Sequence, residues 1–440
     1  MSDVLEIESL DLEGRGIAHL NGKVVFVDGA LPGETVLAKH IVSRKSFDKS
    51  RIERIIKPSS QRVNPPCPSF GICGGCAIQH LEPTAQVAIK QRVLEDALVH
   101  IGKVKAQQML APLHGPYWGY RSRARLSVRL VNKKGGALVG FRERGKPYVV
   151  DMHECSVLPK HVSNLLTPLR HLITSLSIPA RIPQIEVAVA DHTTALALRH
   201  LDPLTADDIT KLRDFSAAHN VSWWLQLKGP ESLHPLDPND AQKLFYDLPE
   251  FGLKMRYGPS DFTQVNQPIN QRLIIQALDL LNIQATDRVA DLFCGLGNFT
   301  LPLATRAAAV VGIEGSQALT DRALQAAAEH GLDTRTQFAT VNLFEVDANW
   351  LRAQGYFDRM LIDPPREGAQ ALSLALSELT FQERPKRIVY VSCNPATLAR
   401  DAGILVHQGG YRLASAGAIN MFPHTAHVES IAVFESNDTA

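Results

Sequence analysis

From about residue 261 onward, short apolar runs ending in glycine, aspartate, asparagine or cysteine alternate with longer stretches of helical period. "RVADLFC" (288–294), "AVVGIEG" (309–315), "TQFATVN" (336–342), "FDRMLID" (357–363) and "RIVYVSC" (387–393) read as successive strands. Runs this apolar suit a parallel sheet covered on both faces, and the intervening stretches supply the crossover helices of an α/β, Rossmann-like, doubly wound sheet. The end of the chain departs from that alternation. "YRLASAGAIN" (411–420) and "HVESIAVFE" (427–435) lie too close for a crossover helix, which predicts an antiparallel hairpin at the sheet edge.

The first 58 residues alternate β-rich runs such as Val24-Val25-Phe26-Val27 with turn signals such as Asp28-Gly29 and Leu31-Pro32-Gly33. Five short strands in that span predict a small β-barrel, a shape that often binds nucleic acid. Residues 59–260 are mixed α+β. A helix is predicted from about Pro83, with Val87, Leu94, Leu98 and Ile101 on one side, and strands within 120–150, 183–200 and 221–228. The expected division is therefore 1–58, 59–260 and 261–440.

The net charge of +1 hides clustering. Lys39, Arg44, Lys45, Lys49, Arg51, Arg54 and Lys57 face only Asp48 and Glu53, and nine Lys/Arg between Arg121 and Lys146 face only Glu143. Clustered cations on a neutral chain point to a polyanion track, with a solvated surface as the plain alternative. Arg121, Arg123 and Arg125 would share one face of a strand. No apolar run reaches the about eighteen residues that span a bilayer, and Ser2-Asp3-Val4-Leu5-Glu6 is too acidic for a signal peptide, so a cytoplasmic protein without a membrane partner is expected. In a reducing compartment the six cysteines call for metal or catalysis rather than disulfides.

The first parallel strand runs into Asp291-Leu292-Phe293-Cys294-Gly295-Leu296-Gly297-Asn298, where Gly295 and Gly297 let backbone approach a ligand. The next strand ends in Glu314, placed for ribose hydroxyls. A nicotinamide dinucleotide is the obvious competitor, but Thr300 stands where its fingerprint needs a third glycine, and S-adenosylmethionine fits better. Phe293, Asn298, Glu314, Asn342 and Asp363 are strand-end candidates for its shell, although Asn298 and Asn342 could equally be caps or turn formers. Cys294 reads as packing.

Cys393 follows the fifth strand, flanked by Ser392 and Asn394, and Pro395 opens a helix whose N-terminal dipole would favour thiolate. A thiol beside a methyl donor points to carbon methylation. Pyrimidine C5 becomes nucleophilic once sulfur adds to C6, and its proton must then be removed. Glu429, opening the last strand, is the best-placed base; His424 and His427 are rivals.

"DPPREG", "VYVSCNPATL" and "FPHTAHVE", with "DFTQVN" (261–266) and "DLFCGLGNFTLPLA" (291–304), closely resemble the signatures of the RNA uracil-C5 methyltransferase family. The resemblance implies Cys393 as nucleophile, Glu429 as proton-abstracting base, and Gln264, Phe293, Asn298, Glu314, Asn342 and Asp363 in an S-adenosylmethionine site of class I methyltransferase fold. Asn420 stands where the final signature usually has aspartate.

Cys67, Cys73, Cys76 and Cys155 make four thiols, sufficient for zinc or for a [4Fe–4S] cluster. A single Cys-x-x-Cys, the glycine-rich "GICGGC" and a remote fourth ligand favour the cluster, in a structural role in which Cys155 ties a distant strand to the 67–76 loop. The resemblance supports this choice, because family members acting on 23S rRNA carry such a cluster. The N-terminal barrel resembles the TRAM module, an OB-fold-like RNA-binding barrel. Barrel and cluster together imply 23S rRNA as partner, at a uridine of the 1939 type, and a monomeric enzyme. The competing expectations are a noncatalytic RNA-binding assembly factor, methylation of a different rRNA or tRNA uridine, and a folate-dependent methylase.

Overall fold

The computed structural model describes residues 2–11 and 13–437, so the outer bounds expected at 1 and 440 lie outside it. Six strands, not five, form the N-terminal sheet: Ser2–Glu6, Ser9–Leu10, Gly16–Leu20, Lys23–Asp28, Thr35–Ser43 and Phe47–Lys57. The additional two-residue strand pairs antiparallel with Gly16–Leu20 and is too short to leave a period-2 signature. Small side chains including Ala18, Val25, Val27, Val36 and Ala38 fill the interior. All seven cations from Lys39 to Lys57 are exposed, on or between the two longest strands.

The central region carries a second six-stranded sheet, in which Arg123–Val131 lies between Gly136–Gly140 and Gln184–Val189. Of the nine cations between Arg121 and Lys146, Arg121 and Arg123 are part-buried and the other seven are exposed. Arg123 donates to the Pro259 carbonyl at 2.5 Å and lies over the Tyr257 ring, while Arg125 pairs with Glu186. Arg121 precedes the strand and donates to the Arg123 carbonyl. Arg123 therefore serves tertiary packing, whereas Arg125, with its side chain 70% exposed, stays on the surface.

The predicted helix spans Pro83–Ala97 and continues as a π-helical turn, Leu98–Gly102. The wider turn rotates Ile101 out to solvent, 52% exposed, whereas Gln86 and Lys90 join Val87 and Leu94 on the buried side. This helix packs on the C-terminal sheet: Leu94 and Leu98 share a core with Tyr390, Leu398 and Phe434. Phe245–Leu248 and Leu253–Arg256, also within the expected central span, contribute Tyr246, Leu248 and Met255 to the other face of the same sheet.

That sheet has eight strands. Arg288–Leu292 is flanked in parallel by Ala309–Glu314 and Arg359–Ile362, and the outer parallel neighbours are Thr336–Thr340 and Arg387–Ser392. The expected hairpin follows, with Glu429–Ser436 antiparallel to both Arg387–Ser392 and Tyr411–Ile419. The hairpin is not the sheet edge. Gln108–Met109 pairs with Tyr411–Ile419 and covers it. Among the described residues no helix is long and apolar enough to cross a membrane.

Candidate functional site

The strands Arg288–Leu292, Ala309–Glu314, Arg359–Ile362 and Arg387–Ser392 run parallel in register, so their carboxyl ends open on one side of the sheet. A cavity of about 590 Å³ lies there. Gln264, Phe293, Asn298, Glu314, Asn342, Asp363, Cys393 and Glu429 all line it. Eight residues singled out across 166 positions of sequence thus share one wall system.

The glycine loop owes its shape to left-handed backbone at Phe293 (φ 64°), Gly295 (φ 56°) and Gly297 (φ 90°). A side chain at Gly297 would meet only ordinary contacts with Leu301 and Ala323, so it is the backbone angle that calls for glycine. Phe293, with a Cβ, holds a conformation costing about 1–2 kcal/mol, fixed by its N–H donating to the Ile313 carbonyl at 2.8 Å. Thr300, in place of a third glycine, donates its hydroxyl to buried Asp291 at 2.5 Å. Glu314 accepts from the Gly295 and Ser316 N–H groups at 3.1 Å each, which ties the second strand to the loop.

Asn298 is locked from behind. Its Oδ1 accepts from the Tyr246 hydroxyl at 2.8 Å and from the Asn270 amide at 3.0 Å, while its own amide donates to Asn270 Oδ1 at 3.0 Å. Asn342 accepts from the Phe344 N–H at 3.2 Å and so caps its own turn while facing the cavity. Tyr246 and Asn270 left no sequence signal, since a tyrosine and an asparagine outside any glycine loop look like ordinary core and helix residues. Phe262, 75% exposed at the cavity, lies in the quoted "DFTQVN" stretch but had no assigned role. Cys294 is buried against Gly312, as packing predicts.

Cys393 is half-buried one residue past its strand, and Asn394 caps the helix Pro395–His407 by accepting from the Ala396 N–H at 3.1 Å. Asn394 and Thr397 both donate to the Arg366 carbonyl, at 3.1 and 3.2 Å, so the 363–368 turn is fixed to the cysteine loop. The thiol is not held as thiolate. Burial, with Glu429 and Asp363 nearby, pushes it up to about 11, and only Arg366 and a backbone donor oppose this. A helix N-terminus is worth about 0.3–1 kcal/mol, less than the ~1.4 kcal/mol that one pKa unit represents, so the expected dipole effect loses to burial.

Burial likewise holds Glu429 well above the carboxylate range, with Asp363 adding to the rise, and pushes Asp363 itself up to about 7. Of the rival bases, His424 is buried outside the cavity, stacked on Trp118 at 3.7 Å and hydrogen-bonded with Gln86 at 3.1 Å. His427 does line the cavity, but its Nδ1 accepts from Arg366 at 3.0 Å and burial lowers its proton affinity.

A second cavity, of about 270 Å³, is lined by Cys67, Cys73, Cys76 and Cys155. Backbone pairing of Gly74 with Arg142 and of Arg144 with Ile72 holds the thiol loop against the 141–149 segment. Cys155 lies on no strand. It sits in the irregular stretch before the helix Lys160–Ser163, with its N–H donating to the Ser163 hydroxyl at 2.9 Å. Arg366, Phe422 and His427 line both cavities. Among the described residues no three His, Cys, Asp or Glu side chains gather tightly enough to hold a single metal ion.

The tRNA (uracil-5-)-methyltransferase family profile matches residues 247–437, and the TRAM domain profile matches 4–39. The chain is 68% identical to a Bordetella avium protein named 23S rRNA (uracil(1939)-C(5))-methyltransferase RlmD, over 99% of this chain and 92% of that one. It is 57% identical to the protein of the same name from Burkholderia thailandensis, over 98% and 95%. In fold it is similar to a Pyrococcus abyssi tRNA (uracil-54, C5)-methyltransferase solved with S-adenosyl-L-homocysteine. That match has a TM-score of 0.73 at 22% identity, covering 99% of this chain and all of that one.

Proposed function

The chain belongs to the RNA uracil-C5 methyltransferase family, and from that premise we propose that it methylates C5 of a uridine in 23S rRNA, of the 1939 type, with S-adenosylmethionine as donor. The observation that carries the mechanism is that Cys393 and Glu429 line one cavity with the glycine loop and Glu314. The cavity volume suits a ligand of the donor's size, and its apolar walls carry few, convergent polar groups. Gln264, Phe293, Asn298, Glu314, Asn342 and Asp363 would hold the donor, which when bound supplies an electrophilic methyl group.

The target base enters unstacked, at a cost of a few kcal/mol that single-stranded RNA reduces. Cys393 sulfur bonds to C6, and the C5–C6 electron pair shifts onto C5 and O4. C5 would then take the methyl group as the sulfonium S–CH3 bond breaks, the bonding pair staying on the donor sulfur as a neutral thioether. Glu429 removes the C5 proton, the C5–C6 double bond re-forms and the thiolate leaves. Burial of Glu429 makes its ionised form a strong base. Arg366 is the fixed cation that favours ionisation of both groups, and a positively charged donor would act in the same sense.

Cys67, Cys73, Cys76 and Cys155 would hold a [4Fe–4S] cluster. The donor set fits: four thiols surround a cavity, not a point, and burial pushes Cys76 up to about 12, so thiolates there call for a metal cation as partner. Such a cluster would fasten the irregular 151–159 stretch to the 67–76 loop. The exposed cations of residues 39–57 support an RNA track on the barrel. Action in the cytoplasm accords with six unpaired cysteines.

Incubating the protein with a 23S rRNA fragment and labelled methyl donor should yield 5-methyluridine. Absence of product with active, donor-bound protein would favour an RNA-binding assembly factor. Product on tRNA alone would move the substrate, and dependence on a folate would remove the donor.

A further inference from the structure

Lys90 is 2% exposed, yet no acidic side chain among the described residues pairs with it. Its Nζ donates to Asn420 Oδ1 and to the Phe422 carbonyl, each at 2.8 Å. Both acceptors sit at the start of the connector between the last two strands, and Asn420 immediately follows Ile419, the strand partner of Glu429. The pin thus acts one residue from the position that sets the register of Glu429.

Its neighbours on the same helix act on the same connector. Gln86, one turn earlier, accepts from the His424 N–H at 2.8 Å, and Gln91 accepts from the Ala418 N–H at 2.8 Å. From elsewhere Asn266 donates to the Met421 carbonyl at 3.3 Å and Tyr120 to the Pro423 carbonyl at 2.9 Å. Among these Lys90 is the costliest to keep. Burial draws its proton affinity down to about 7, and Asn420 Nδ2 beside it is buried without a hydrogen-bond partner. A methionine of similar size would remove the buried ammonium but leave Asn420 Oδ1 and the Phe422 carbonyl without their donor, so the lysine fixes the connector at one place.

We propose that Lys90, through Asn420 and the Phe422 carbonyl, is a positioning residue that holds Glu429 at the reacting base for proton removal. The inference rests on Glu429 being that base. The pin serves the step after sulfur addition and methyl transfer, when the C5 proton passes to the Glu429 carboxylate, and not the binding of donor.

The test compares Lys90→Met and Glu429→Gln in the full-length protein with labelled donor and 23S rRNA fragment. Lys90→Met is expected to lower kcat at least about tenfold and to leave the donor KM within about twofold. It should also accumulate a denaturant-stable protein–RNA adduct carrying the methyl label, at a temperature where the variant remains folded. Full kcat in Lys90→Met, or a matched loss of donor binding without adduct, overturns the positioning role. Should Lys90→Met not fold, Asn420→Ala removes one acceptor and must itself accumulate labelled adduct; its failure to do so also overturns the role. Glu429→Gln separates the two readings, because absence of adduct there withdraws Glu429 as base whatever Lys90→Met does.

Discussion

Cys393 and Glu429 lie opposite each other one step beyond the last registered pair of their strands, Ser392 with Ser430. The antiparallel ladder, not the loops, therefore sets the thiol against the carboxyl at the cavity wall. Their opposed position orders the chemistry and divides the expected phenotypes. Cys393→Ala should abolish 5-methyluridine formation and any covalent complex with 5-fluorouridine-containing RNA. Glu429→Gln should lose about 10²–10⁴-fold in turnover while still forming the adduct. Measurable methylation by Cys393→Ala at the wild-type rate would remove the covalent route.

Because burial beside Glu429 and Asp363 lifts Cys393 to about 11, the free protein should be slow to react with iodoacetamide at neutral pH. The thiolate is the reactive form, so alkylation of Cys393 should rise with pH toward a midpoint near 11 and speed up when a sulfonium analogue of the donor is added. Turnover needs both groups ionised and should climb from mildly acidic to mildly alkaline pH. A Cys393 alkylation midpoint below neutrality, followed by mass spectrometry, would contradict the burial argument.

Tyr246→Phe removes the hydroxyl that fixes Asn298 and leaves Asn298 Oδ1 with one donor fewer. A lost buried hydrogen bond costs about 1 kcal/mol, which converts to a rise in donor KM of roughly fivefold with kcat little changed. Calorimetric titration with S-adenosylhomocysteine checks it directly.

Replacing Cys155 by serine should lower iron and sulfide per chain and make the 151–159 stretch susceptible to proteolysis. Retention of full iron content in purified Cys155→Ser would exclude it as a cluster ligand.

Glu34, 1% exposed, links the barrel to the next segment by accepting from Arg62 and from the Leu31 and Ser59 N–H groups. Burial alone would raise its pKa, but these donors outweigh it and the net shift is downward. The unfolded chain then binds the proton more readily than the folded one, so this stability is present above the unfolded value of 4.5 and is lost as pH falls through the folded value. Glu34→Gln should destabilise by about 3 kcal/mol near neutral pH, with the difference from wild type shrinking in acid; a pH-independent difference in denaturant midpoint would refute the pairing.

Continuous apolar runs ending in Gly295, Glu314, Asp363 and Cys393 made the parallel sheet and its ligand side legible in the sequence, because strands buried on both faces carry their position in composition alone. The same runs located the thiol, since Cys393 falls at a strand end before a Pro-initiated helix. Thr300 argued against one cofactor. What stayed hidden depended on partners far away in the chain. Lys90 and Gln86 look like the solvent face of a helix until the C-terminal connector covers them. Arg123 looks like a phosphate contact until the Pro259 carbonyl takes it. Tyr246 gains meaning only beside Asn298. The direction of the Cys393 shift was decided by burial, with two carboxyl groups from elsewhere in the sheet adding to it, and desolvation is a property of the assembled fold that no local spacing records.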